Sequence, residues 1–124
     1  VERRLSVDPA RFTIAIRNPA PVSEVASLTL YAFGFRPDVP FESMPKLRIE
    51  VGALRHRVFD QSREQPHSVC AVTRTARSID IAIPFAALNE PTRVWTAADL
   101  QLARYPLDRM AWRAVDRQPV QETP

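Results

Sequence analysis

The chain has 124 residues, 45% hydrophobic and 25% charged, which fits one domain able to bury roughly two-thirds of its unfolded surface and sets disorder aside. Its formal charge of +3 comes from sixteen arginines and one lysine, Lys46, scattered among fourteen acidic residues, a balance that permits anionic partners without demanding them. The one cysteine, Cys70, excludes an intrachain disulfide and a cysteine-based zinc site, and two histidines do not supply a dense transition-metal centre.

Twelve prolines against two glycines indicate turns built mainly by fixing φ, and between the prolines apolar residues recur at period two. The pattern predicts strands throughout. Arg11–Arg17 places Phe12, Ile14 and Ile16 inward and ends at Asn18-Pro19-Ala20-Pro21. Glu24–Arg36 follows, with Leu28, Leu30 and Ala32 on one face and Tyr31, Phe33 and Phe35 on the other, as in a central strand or one whose second face a loop covers. Gly34 inside it marks a bulge or a close backbone approach.

After the proline-stiffened stretch 37–45, Leu47, Ile49 and Val51 alternate with Lys46, Arg48 and Glu50. Leu54, His56 and Val58 then alternate with Arg55, Arg57 and Phe59. Gly52-Ala53 between the two runs suits a type II′ hairpin, which pairs Val51 with Leu54 and sets Arg48 opposite Arg57 on the outer side. Asp60–His67 reads as an exposed polar loop, and Val69–Thr75 as a moderate strand that holds Cys70 as a small buried hydrophobe.

The cleanest alternation is Arg77–Ile83, with Ile79, Ile81 and Ile83 on one buried face. Pro84 stops it, and Phe85–Leu88 makes a single apolar turn folded over the sheet edge. Asn89-Glu90-Pro91 leads out to Arg93–Leu102, with Asp99 at a bend. Tyr105–Asp108 reads as a loop and Met110–Val115 as a last strand, with Trp112 plugging the core. About eight short strands in one domain predict an all-β fold, two packed antiparallel sheets of the jelly-roll or immunoglobulin-like type, with a closed barrel as rival. The core spans about residues 10–116 and 117–124 form a flexible tail. No apolar run is long enough to cross a membrane and no basic-then-apolar leader opens the chain. The start at Val1 suggests a processed chain or a module of a longer one.

No nucleophile-base pair, phosphate-cradling glycine loop or calcium-loop spacing is present, so neither metal nor cofactor is expected and an accessory module is favoured over an enzyme. His56 reads as a hydrogen-bonded core or rim residue and His67 as solvated. Two constellations stand out. Lys46, Arg48, Arg55 and Arg57 form an outer basic stripe that needs counter-anions from its own chain or from a partner. Aromatic residues are not interleaved with it, so no nucleic-acid platform is expected. Trp95 and Tyr105, with Arg104 and Arg113 beside them, form either a ligand shelf that stacks on a sugar or small polar ligand, or core.

Ile79-Asp80-Ile81-Ala82-Ile83-Pro84-Phe85-Ala86-Ala87-Leu88, followed by an apolar strand and a terminal strand around Trp112, resembles the C-terminal half of DOMON-like sandwiches, which include the family nine carbohydrate-binding modules. The resemblance covers roughly residues 77–116 and implies a sandwich that binds sugar or haem as an appendage of a larger protein. The family's sugar-clamping aromatic pair and calcium-binding acids have no placed counterparts here. A haem reading has only Met44, Met110, His56 and His67 as axial candidates by residue type. The expected function is thus a non-catalytic module that binds a carbohydrate or small polar ligand or docks on a neighbouring domain. The alternative is a jelly-roll hydrolase or lyase with carboxylates around Asp99 and Asp108.

Overall fold

The computed structural model describes residues 2–7, 10–17, 26–52, 55–75, 77–102 and 105–116, the side chains of 2, 102 and 105–108 excepted. Among these residues the period-two alternation builds ten strands: β1 (Glu2–Val7), β2 (Arg11–Arg17), β3 (Ala26–Phe35), β4 (Lys46–Val51), β5 (His56–Asp60), β6 (Arg63–Gln65), β7 (Ala71–Arg74), β8 (Ser78–Pro84), β9 (Arg93–Leu102) and β10 (Tyr105–Asp116). They form two antiparallel sheets, ordered β1-β2-β8-β7 and β10-β9-β3-β4-β5-β6. A two-sheet β-sandwich is therefore the fold. The strand count exceeds the expected eight because β1 and β6 pair through their backbones at sheet edges, where a largely polar sequence such as Arg63-Glu64-Gln65 is tolerated.

The core is made where the inner faces meet. In the small sheet Phe12, Ile14 and Ile16 of β2 lie opposite Ile83, Ile81 and Ile79 of β8, all buried. Facing them in the large sheet are Leu28 and Leu30 of β3, Leu47 and Ile49 of β4, Val58 of β5, and Val94, Ala98 and Leu100 of β9. Strict alternation puts every second residue on that face, which is why the inward positions read correctly from the sequence. β3 is central, between β9 and β4, and its outer Phe33 is also covered from the loop by Phe41, with ring centroids 5.3 Å apart.

Pro84 ends β8, and Phe85–Leu88 forms one 3-10 turn that buries Phe85 and Leu88 completely. The Phe85 N–H donates to Ala10 O at 3.1 Å, and the turn is closed by Asn89 and Glu90, both at positive φ. Leu88 lands against β3 at Gly34, where a Cβ would stand 2.6 Å from Leu88 O and 2.9 Å from Leu88 Cβ. Gly34 is thus a close approach.

Five expectations are corrected. The β4–β5 pairing is displaced by two residues: Val51 lies opposite His56, Glu50 opposite Arg57 and Arg48 opposite Phe59. Two residues is a full side-chain period, so the faces hold while an Arg–Arg juxtaposition is replaced by Glu–Arg. Gly52 has no positive φ, as a type II′ turn requires at its first central residue; its N–H instead donates to Arg55 O at 2.9 Å, and Ala53 and Leu54 lie outside the described residues. Asp60–His67 is not one loop: Gln61 and Ser62, both at positive φ, make a tight hairpin in which Asp60 pairs with Arg63. Finally, Asp99 sits in unbroken strand opposite Thr29 and Arg109, and Tyr105–Asp108 belongs to β10, with a ladder irregularity between Pro106 and Asp108 where proline offers no N–H. The Asn18–Pro21 turn and the expected tail at 117–124 lie outside the described residues.

Three outcomes follow from this core. Ile81→Ala empties a fully buried position and should lower the unfolding free energy by about 2–5 kcal/mol in denaturant titration. Gly34→Ala drives a methyl into the Leu88 backbone and should cost about 1–3 kcal/mol in the same assay. Burial pushes the Cys70 thiol from 9.0 up to about 12, so the folded chain keeps this proton after the unfolded chain has lost it. Its contribution is complete below the unfolded value and falls as pH rises from there toward the folded one. Stability measured above about pH 9 should accordingly decline less steeply in Cys70→Ala than in the parent.

Candidate functional site

Because the inner positions are taken up by the core, the chemistry of the large sheet lies on its outer face, where consecutive strands set side chains in rungs. One rung runs from Ala97 of β9 through Tyr31 of β3 and Arg48 of β4 to Phe59 of β5. On the other side of Ala97 the β9–β10 register jumps from Met110 opposite Ala98 to Arg113 opposite Thr96. Ala111 and Trp112 therefore both oppose Ala97, as in a β-bulge, and Trp112 is turned to the outside. It is 57% exposed, which overturns its assignment to the core; Met110 occupies the inner position of that region.

Tyr31 and Trp112 belong to strands two positions apart, roughly 10 Å from backbone to backbone. Their ring centroids are 6.4 Å apart at 44°, so the rings lean together over the small Ala97 side chain. This pair borders a hollow of about 510 Å³ lined by Tyr31, Ala97, Asp99, Arg109, Met110, Ala111 and Trp112. At its polar end Arg109 Nε donates to Asp99 Oδ1 at 3.1 Å. An apolar stacking surface beside fixed polar groups suits a ligand with one hydrophobic face and a hydroxylated rim.

Trp95 also faces outward, opposite Phe33 on β3 and Ala114 on β10, and is 36% exposed. It stands about 7 Å along β9 from Ala97 and shares a face with Tyr31 and Trp112. Tyr105 pairs with Leu102 at the far end of the β9–β10 ladder, roughly 23 Å of strand from Trp95, so the two form no common shelf. The Tyr105 side chain and Arg104 lie outside the described residues, and Arg113 pairs with inward-facing Thr96. Tyr31 escaped the sequence reading although its outward position was legible, because nothing local links it to a ring on β10. Trp112 escaped because a bulge inverts the parity on which the reading rests.

The basic stripe is largely matched by its own chain. Arg48 Nε lies 3.2 Å from Glu50 Oε2, and its guanidinium stands 4.4 Å from the Phe59 ring centroid. Arg57 covers the same ring at 4.9 Å and makes a two-pronged pair with Glu64, at 3.1 and 2.9 Å. The hydrogen bond and charge of Glu64 raise the Arg57 pKa, and the Arg57 hydrogen bond lowers that of Glu64. Lys46 Nζ donates to Phe41 O and Met44 O at 2.6 and 3.0 Å and sits 4.4 Å from the Phe41 ring centroid. Arg55 is exposed beside a hollow of about 980 Å³ that it lines with His56, Arg57, Glu64 and His67.

His56 is a rim residue, as expected. Carbonyls only accept, so its Nε2 donates, with His67 O at 2.7 Å and Cys70 O at 3.2 Å. That ties the short turn at His67–Val69 to β5. Asp99, one carboxylate of the hydrolase alternative, is ion-paired with Arg109; the side chain of Asp108, the other, lies outside the described residues. Among the described residues no cluster of His, Cys, Asp or Glu is arranged to hold a metal ion. No protein-family model matches the chain, and neither the curated proteins nor the solved structures contain a match to it.

Proposed function

We propose that this chain is a non-catalytic carbohydrate-binding module that lays a sugar against the outer face of its large sheet. The observation that carries the reading is the exposed Tyr31–Trp112 pair, leaning together over Ala97 beside the Asp99–Arg109 ion pair. A pyranose presents C–H groups on one face and hydroxyls around its edge. The rings cover the first, while the carboxylate of Asp99 accepts from the second and the guanidinium of Arg109 donates to it. Two aromatic side chains with few rotatable bonds lose little entropy on binding, which favours a preformed shelf over one assembled by the ligand.

The same groups argue against hydrolysis. A glycosidase of the usual kind needs two carboxyl groups facing one glycosidic bond, and Asp99 is held in an ion pair. The resemblance of residues 77–116 to the family nine modules points the same way as the shelf, toward sugar as ligand and an appended role.

The decisive measurement is a titration of oligosaccharides against tryptophan fluorescence. A sugar that binds should shift the emission of Trp112, and Trp112→Ala or Tyr31→Ala should weaken binding by roughly tenfold or more, as loss of a stacked ring does. Trp112→Ala should change stability by only about 0.5–1.5 kcal/mol, the scale of its ring pair with Tyr31. If a broad panel of neutral and acidic sugars leaves the emission unmoved, or binding survives both substitutions, the shelf reading is wrong.

A further inference from the structure

β1 and β10 are edge strands, one in each sheet, and β1 reaches the β9–β10 end of the large sheet through Arg3. On β1 the inward positions alternate: Val7 lies opposite Phe12, Leu5 opposite Ile14, and Arg3 opposite Ile16. Leu5 and Val7 pack on the core, so an arginine occupies the third position of an otherwise apolar inner row. Its guanidinium reaches across to β9, where Nη1 donates to Thr96 O at 3.4 Å. That contact falls beside the β10 bulge, where the ladder from Met110 to Arg113 is irregular.

Around this contact the donors outnumber the acceptors. Arg3 Nε is buried and has no hydrogen-bond partner. Thr96, fully buried on the inner face of β9, has a hydroxyl that is likewise buried and unpartnered. Opposite Thr96 on β10 stands Arg113, a second guanidinium. Among the described residues no carboxylate forms an ion pair with Arg3 or Arg113, although Arg36, Arg48, Arg57, Arg93 and Arg109 each have one. Buried N–H and O–H groups are almost always satisfied, and leaving them empty costs more than the bond itself contributes.

We propose that this cluster is a binding site for an oxyanion group, a carboxylate, sulfate or phosphate, held between the guanidiniums of Arg3 and Arg113 with the Thr96 hydroxyl as a further donor. Such a group supplies several acceptor oxygens to a positively charged site where Arg3 Nη1 has only the Thr96 carbonyl, and Arg3 Nε and the Thr96 hydroxyl have no partner. Burial and the charge of Arg113 both pull the Arg3 pKa down, the repulsion that an anion between them relieves. The site is separate from the aromatic shelf, because Thr96 faces inward while its neighbours Trp95 and Ala97 face outward.

The test uses sodium sulfate, phosphate and acetate, each compared with sodium chloride at equal ionic strength, with the thermal midpoint and calorimetric titration as readouts. At least one of the three should raise the midpoint saturably. Arg113→Gln and Thr96→Val should each weaken its binding, the former by roughly tenfold or more. Trp112→Ala should leave it unchanged. Response to acetate as well as sulfate supports a carboxylate-sized ligand, and response to sulfate and phosphate alone supports a tetrahedral one. Arg3→Gln should also abolish the response. If that variant does not fold, exposed Arg113 carries the test. No midpoint change beyond chloride for any of the anions, or an undiminished response in Arg113→Gln, overturns the proposal.

Discussion

The contact on which the arrangement depends is the seating of the Leu88 backbone on Gly34. The 3-10 turn Phe85–Leu88 is where the chain leaves the small sheet at the end of β8 and returns to the large one as β9. With a side chain at position 34 the turn would have to stand off from β3, since a Cβ there falls within 2.6 Å of Leu88 O. Absence of that one atom lets Phe85 and Leu88 fill the end of the core while β9 runs beside β3, from Phe35 opposite Arg93 to Ala26 opposite Leu102. The hydrogen bond from Thr92 N–H to Phe35 O at 2.9 Å closes the junction.

From that placement the outer face acquires its character. β9 supplies Trp95, Ala97 and Asp99 outward, and β3 and β10 flank it with Tyr31, Phe33, Trp112 and Arg109. A large side chain at position 97 would fill the hollow. Alanine there leaves the rings of its neighbours to lean over it, and the bulge at Ala111-Trp112 supplies the second ring from a strand whose regular alternation would have turned it into the core. Farther along the sheet, the cations of β4 and β5 are engaged with Glu50, Glu64 and the face of Phe59, so that half of the surface is closer to charge balance than its arginine content implies.

The cluster at Arg3 and Thr96 follows a different logic. Edge strands can carry polar residues on their inner face because the sandwich is incomplete there, and Arg3 takes that position in a row begun by Val7 and Leu5. The bulge in β10 lies against the same stretch of β9, so one irregularity turns Trp112 outward and sets Arg113 opposite Thr96. The two features on either side of β9, an aromatic hollow and a cluster of unsatisfied donors, share that origin.

What the sequence determined by itself is the class of fold and the membership of the inner faces. Phe12, Ile14, Ile16, Leu28, Leu30, Leu47, Ile49, Ile79, Ile81 and Ile83 are buried as read, and Pro84 with the apolar turn after it was legible, because alternation and proline chemistry act within a few residues. The short edge strands were not legible, since β1 and β6 are held by backbone pairing that leaves little apolar signature. Only the tertiary structure decided the β4–β5 register, where a slip of two residues preserves every face and is therefore silent in the hydrophobic pattern, and the parity of Trp112, which a single extra residue inverts. It also decided the candidate sites. Tyr31 with Trp112, and Arg3 with Thr96, are joined across tens of residues by sheet order, and sheet order is set by packing between strands that no local pattern of side chains encodes.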